Sequence, residues 1–238
     1  MSKLNNLKVK IFADGANKKD MLEMYSKPFV KGLTTNPTLM KKEGITDYKA
    51  FCTDVLKLIK DKPISFEVFS DDFEEMERQA LEIASWGENI YVKIPITNTK
   101  KISCCNIAKK LSKQNVKLNI TAITTFDQVK KVASVLDPNV PSYISVFAGR
   151  IADTGRDPLP LMSDIVKFLK FLPASELIWA SPRELLNIFQ ADQIGCHIIT
   201  VTNDILKKLD LIGYDLDRYS LDTVKMFYSD ALDAGFKL

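Results

Sequence analysis

The stretch Ile90-Tyr91-Val92-Lys93-Ile94-Pro95 sets one lysine in the middle of an otherwise apolar, strand-forming run. Side chains alternate along an extended chain, so Tyr91, Lys93 and Pro95 share one face and Val92 and Ile94 the other. If the aliphatic pair packs against helices, Lys93 is driven into whatever the opposite face of the sheet encloses. A lysine desolvated there has its charged form disfavoured, which leaves a neutral amine able to attack a carbonyl. The competing reading is a lysine that snorkels to the rim or pairs with a structural carboxylate.

Short β-branched runs of the same kind recur on either side, at 8–14, 29–33, 64–69, 116–121, 142–147, 176–180 and 197–201. Segments of helical period separate them, for example 47–60, 72–86, 101–113, 126–136, 158–172 and 182–191. In 72–86 the residues Phe73, Met76, Ala80, Leu81 and Ala84 recur at three- and four-residue spacing, as one buried stripe would require. Eight strands alternating with helices predict an α/β fold, a single (β/α)8 TIM barrel, for which 238 residues is an ordinary size. No Gly/Ser- or Pro-rich linker divides the chain, so residues 1–238 read as one domain. After the eighth unit, Leu221, Val224, Phe227, Tyr228, Ala231 and Leu232 keep helical spacing. This additional C-terminal helix, about residues 219–238, either packs on its own barrel or meets a neighbouring subunit.

Composition narrows the function. A content of 46% hydrophobic and 26% charged residues is that of a globular protein with material for a large core. A net charge of +3, with both signs interspersed, makes no stripe for nucleic acid. The N-terminal residues lack the apolar stretch of a signal peptide and no run nears the ~20 apolar residues of a membrane span, so the cytoplasm is expected. Cys52, Cys104, Cys105 and Cys196 show no C-x-x-C spacing and read as reduced, mostly core residues. With His197 the single histidine, a His-cluster metal site is not expected, and no nucleotide-binding glycine motif is present, so no cofactor is expected either.

Active sites of such barrels lie at the carboxyl ends of the strands, and polar residues close most of these runs. They are Asp14, Thr34-Thr35-Asn36, Glu67, Lys93, Asn119 with Thr121, Ser145 with Arg150, and Ser181 with Arg183. Asp14 and Glu67 suit general acid/base work, although Asp14 could equally cap a helix before Asn17-Lys18-Lys19 and Glu67 could be the ion-pair partner of a buried lysine. Arg150 and Arg183 suit a phosphate, which guanidinium groups bind bidentately; either could instead be a surface residue.

Phe12-Ala13-Asp14-Gly15, Gly32-Leu33-Thr34-Thr35-Asn36-Pro37-Thr38, Phe66-Glu67-Val68, Val92-Lys93-Ile94-Pro95, Leu118-Asn119-Ile120-Thr121, Ile144 through Ile151 and Ala180-Ser181-Pro182-Arg183 stand in one order along the chain. This series resembles the transaldolase family over nearly the whole length. The resemblance implies that Lys93 forms an imine with a ketose phosphate, that Asp14 exchanges the proton of the hydroxyl beside the broken bond, and that Glu67 and Thr121 hold a proton-passing water. It also implies that Asn36, Asn119 and Ser145 contact the dihydroxyacetone part, with Thr35 and Phe147 beside them, and that Arg150, Ser181 and Arg183 bind the phosphate. Short members of this family commonly form rings of five, often stacked into ten, so a homo-oligomer is implied.

The family holds transaldolases, which pass a three-carbon ketol unit between sugar phosphates, and fructose-6-phosphate aldolases, which release free dihydroxyacetone. The aldolase branch typically carries glutamine at the position of Glu67 and tyrosine at that of Phe147, so the residues here favour transfer. A length of 238 residues is nearer the short branch. The third alternative is a barrel that binds sugar phosphates without catalysis. Arg156 and Asp157 have no role in this reading.

Overall fold

Lys93 lies on β4 (Ile90–Pro95), and the strands before and after it are β1 (Lys10–Asp14), β2 (Val30–Thr34), β3 (Ile64–Glu67), β5 (Leu118–Ile123), β6 (Ser142–Val146), β7 (Ser175–Trp179) and β8 (Ile198–Thr202). Each pairs in parallel with its sequence neighbour, and β8 pairs with β1, closing the barrel. The protein is described from a computed structural model that covers residue 4 and residues 6–238. Between the strands run helices α1 (Lys18–Ser26), α2 (Pro37–Lys42), α3 (Tyr48–Leu56), α4 (Phe73–Ala84), α5 (Cys105–Lys113), α6 (Phe126–Ala133), α7 (Ala148–Ala152), α8 (Leu159–Phe168), α9 (Leu186–Gln193) and α10 (Asn203–Leu206). The chain ends on α11 (Leu216–Asp233). Among the described residues no helix is long and apolar enough to cross a membrane.

The alternation on β4 holds. Val92 and Ile94 are fully buried in the large core between barrel and helices, while Tyr91 joins a second, smaller cluster inside the barrel with Phe12, Tyr143, Ile178 and Ile198. There the Tyr91 and Tyr143 rings stack at 3.8 Å and Phe12 meets Tyr143 edge-on at 5.7 Å. Gly32 makes room for this plug, since a Cβ on it would stand 2.5 Å from the Phe12 ring. The aromatic layer seals the barrel below Lys93, so anything that reaches the lysine enters from the carboxyl ends of the strands.

Several boundaries differ from the expected ones for local reasons. β5 runs on to Ile123 through an irregularity in its pairing with β6, where Ala122 takes φ 61°. α5 starts at Cys105 rather than near 101, because Lys101 has φ 61° and Thr97 bridges Ser103 in antiparallel fashion. α9 starts at Leu186 rather than 182, because Ser181 has φ 57° and the Asn187 side chain takes up the Arg183 and Glu184 N–H groups. On α4 the buried stripe is Met76, Gln79, Ala80 and Ile83, and Leu81 is exposed, contrary to the expected set. Buried Gln79 is satisfied by accepting from the Phe69 and Ser70 N–H groups. Cys52, Cys104 and Cys196 are buried and Cys105 partly so, all as free thiols. His197 sits at the opposite end of the barrel from Lys93, where its Nδ1 accepts the Leu177 N–H.

The terminal helix does not pack on its own barrel. α11 is capped by Asp215 and has no buried residue, and Leu216, Val224, Phe227, Tyr228 and Leu232 are all exposed.

Candidate active site

Strand pairing places the floor of the site. Glu67 stands beside Lys93 across β3 and β4, and Lys93 beside Asn119 across β4 and β5. The three side chains therefore project inward at one level from adjacent strands. Lys93 is 6% exposed, and its Nζ lies 3.0 Å from the Glu67 carboxylate and donates to the Thr35 carbonyl at 2.9 Å. Glu67 is thus the ion-pair partner of the lysine. The same contact puts a carboxylate within reach of the Nζ protons.

Asn119 is locked from both sides: its Nδ2 donates to Ser65 Oγ at 3.0 Å and its Oδ1 accepts from Ser145 Oγ at 2.7 Å. The Thr121 hydroxyl is buried without a hydrogen-bond partner among the described residues. A buried, unpaired hydroxyl is unfavourable unless water or a ligand completes it.

Asp14 closes β1, and the helix that follows takes its cap from Asn17, whose side chain accepts the Asp20 N–H. Freed from capping, Asp14 accepts from Thr34 Oγ1 at 2.7 Å. Desolvation raises its carboxyl above the ordinary aspartate range, against the opposing pull of Lys93 and the Thr34 hydrogen bond. A carboxyl group perturbed in this way in a cleft is a candidate for proton transfer.

These groups face one cavity of about 400 Å³, open at the carboxyl ends of the strands. Asp14, Asn36, Glu67, Lys93, Asn119, Thr121, Ser145, Phe147, Arg150 and Ser181 all line it. Asn36 shows the cavity only part of its amide, because Oδ1 caps α2 by accepting the Leu39 N–H at 3.0 Å.

Thr35 and Arg183 do not line it. Thr35 is fully buried and contributes its carbonyl to Lys93, while its hydroxyl has no partner among the described residues. Arg183 is exposed and engaged bidentately by Asp153 at 2.8 and 2.5 Å, with a third bond to the Ser181 carbonyl. Its loop nevertheless touches α7, which carries Arg150. Gly149 approaches so closely that a Cβ there would lie 1.5 Å from the Ser181 carbonyl oxygen. Only glycine lets α7 and this loop meet.

Thr34, named among the strand-end polar residues, lines the cavity, whereas Thr38 and Thr200, which also line it, and Ser65, which holds Asn119, are not singled out by sequence. Threonine and serine in a β-branched run carry no signal, because threonine is itself a good strand former. Asp157, without a role from sequence, accepts the Leu159 N–H at the start of α8, and Arg156 bonds the Thr154 hydroxyl.

Barrel and cavity together define a (β/α)8 protein with a polar cavity at the carboxyl ends of its strands. The family model described as Transaldolase/Fructose-6-phosphate aldolase matches residues 11–237, and the chain belongs to that family. It is similar to a "Probable transaldolase" of a Thermoanaerobacter species, 36% identical over 231 residues that cover 97% of this chain and 100% of the relative. A "Probable transaldolase" of Dehalococcoides mccartyi is 36% identical over 202 residues, 84% of this chain and 90% of that one. Among solved structures, that of a mutant flavocytochrome b2 with benzoylformate aligns with a TM-score of 0.55 at 12% identity, covering 82% of this chain and 56% of that one. At that identity the likeness is one of fold alone.

Proposed function

We propose that the protein is a transaldolase that moves a dihydroxyacetone unit from a ketose phosphate, sedoheptulose 7-phosphate or fructose 6-phosphate, to an aldose phosphate, glyceraldehyde 3-phosphate or erythrose 4-phosphate. The observation that carries this reading is the buried Lys93 with Glu67 3.0 Å from its Nζ and Asp14 facing the same cavity.

In this reading Nζ gives a proton to Glu67 and attacks the ketose carbonyl, and loss of water gives the imine. Asp14 takes the proton of the C4 hydroxyl as the C3–C4 bond breaks, and the bonding pair is held as an enamine on nitrogen. An aldose phosphate leaves and another enters. The enamine carbon attacks its aldehyde, Asp14 returns the proton to the new hydroxyl, and water restores the lysine. Thr121, with its open hydroxyl, and Glu67 hold that water. Asn119, fixed by Ser65 and Ser145, meets the ketol hydroxyls, and Arg150 and Ser181 receive the phosphate at the rim. Glu67 and Phe147, rather than glutamine and tyrosine, favour transfer over release of free dihydroxyacetone.

Addition of borohydride to the protein with fructose 6-phosphate is expected to fix a three-carbon or six-carbon adduct on Lys93, detectable by mass. An unmodified Lys93 would sink the mechanism. Fructose 6-phosphate turnover is expected to depend on added erythrose 4-phosphate; equal turnover with and without it would favour the aldolase reading.

The apolar residues of α11 are exposed along its length, which supports a homo-oligomer in which this helix is covered by a neighbour. Sedimentation is expected to give a mass of five or ten chains, and truncation before Leu216 to lower it.

A further inference from the structure

β8 is the strand to which the reading above gives no residue. Its Thr200 faces the barrel interior and lines the cavity, and its hydroxyl bonds that of Thr34 on β2. β1 lies between the two, pairing Phe12 with Thr200 on one side and Asp14 with Thr34 on the other. The Thr34–Thr200 contact therefore bridges over β1, next to Asp14.

The direction of this chain follows from the number of hydrogens. An ionised carboxylate only accepts, so Thr34 commits its one O–H to Asp14 Oδ1, at 2.7 Å. The Thr34 oxygen can then only accept from its other partner, and Thr200 must be the donor. Thr34 and Thr200 are both buried, so little water competes for either hydroxyl. Hydrogen bonds in such a chain polarise one another, and the outer one strengthens the inner. Asp14 Oδ2 is bonded to no described residue, which leaves that oxygen for a group in the cavity. The charged groups that act on Asp14 are Lys93 from β4 and Glu67 from β3, of opposite sign; β2 and β8 offer hydroxyls.

We propose that Thr200 is a positioning residue for Asp14: through Thr34 it commits Oδ1 as an acceptor and so fixes Oδ2 as the oxygen that exchanges the substrate proton. The substrate part of this rests on the transaldolase reading, so the test has one readout that needs no substrate. Thr200→Val keeps the packing volume and removes the donor, Thr200→Ser keeps the donor, and Thr200→Ala is a second hydroxyl-free variant should the valine protein fail to fold.

The first readout is the difference in melting temperature between parent and Asp14→Asn proteins from pH 4 to 9, which follows Asp14 titration in the folded state. Without the Thr200 hydroxyl the weaker inner bond stabilises the carboxylate less, and the titration is expected about half a pH unit higher. The second is turnover. Loss of the hydroxyl is expected to lower kcat about three- to tenfold, with KM nearly unchanged, and to move the acid limb of kcat upward. Thr200→Ser restores both. An Asp14 titration indifferent to the hydroxyl, or a serine variant that shifts as far as the valine one, would overturn the proposal. Failure of imine trapping on Lys93 would instead remove the transaldolase reading and leave the first readout standing.

Discussion

At the floor of the cavity Glu67, Lys93 and Asn119 hold neighbouring ladder positions on three paired strands, whereas at the rim Arg150 stands on the short α7 and Ser181 and Arg183 on a loop. Lys93 and Asn119 are buried, Glu67 and Asp14 partly so, and each floor group touches a fixed partner: Lys93 with Glu67 and the Thr35 carbonyl, Asn119 with Ser65 and Ser145, Asp14 with Thr34. Rim groups are more open. Arg183 is engaged by exposed Asp153, a kind of pair that contributes little stability and can exchange partners. Under the proposed transaldolase reading, floor and rim carry two tasks. Bond-making chemistry needs groups preorganised within fractions of an ångström, which a barrel ladder supplies. Phosphate recognition rests on charge and tolerates a guanidinium that turns to meet its ligand.

If floor and rim divide the work this way, substitutions at the floor act on kcat and those at the rim on KM. Lys93→Ala is the extreme case, expected to abolish borohydride trapping and to reduce turnover on the order of 10⁴-fold or more. Turnover within tenfold of the parent would break the comparison at its root.

Asp14→Asn comes next, with kcat expected to fall about 10²- to 10³-fold. Here the sign on stability is opposite. Desolvation raises the folded carboxyl above its unfolded value, so its contribution is fully present below the ordinary aspartate range and is lost as pH rises through the folded pKa. The asparagine protein is therefore expected to melt with the parent near pH 3 and increasingly above it toward neutrality. A difference that shrinks with rising pH would contradict the burial argument.

Arg150→Ala is expected to raise KM for phosphorylated donors about 10- to 100-fold, the range of a lost charged hydrogen bond, while kcat changes little. A fall in kcat as large as that of Asp14→Asn would move Arg150 to the floor. The smallest effect expected is that of Asp153→Asn. Releasing Arg183 to turn inward lowers KM by about two- to fivefold. A KM that rises instead would mean that Asp153 aims Arg183 rather than occupying it.

Much of this was legible in the residues themselves. The period-two alternation around Lys93 predicts its inward direction, since a strand has only two faces and Val92 and Ile94 claim one. Eight such runs predict the barrel, and a polar residue at the end of most of them predicts where the cavity opens. What one chain read in line cannot express is register. That Glu67, rather than another carboxylate, lies beside Lys93 depends on the offset between β3 and β4, and barrel closure sets that offset. Closure also brought β8 against β1 and gave the inconspicuous Thr200 a place next to Asp14. The rim shows the same division. Arginines near strand ends announce an anion site, yet only the contact between Gly149 and Ser181, and the engagement of Arg183 by Asp153, distinguish the guanidinium facing the cavity from the one held outside it. Local periodicity is a property of consecutive residues; partnership between residues far apart in the chain is decided when the barrel closes.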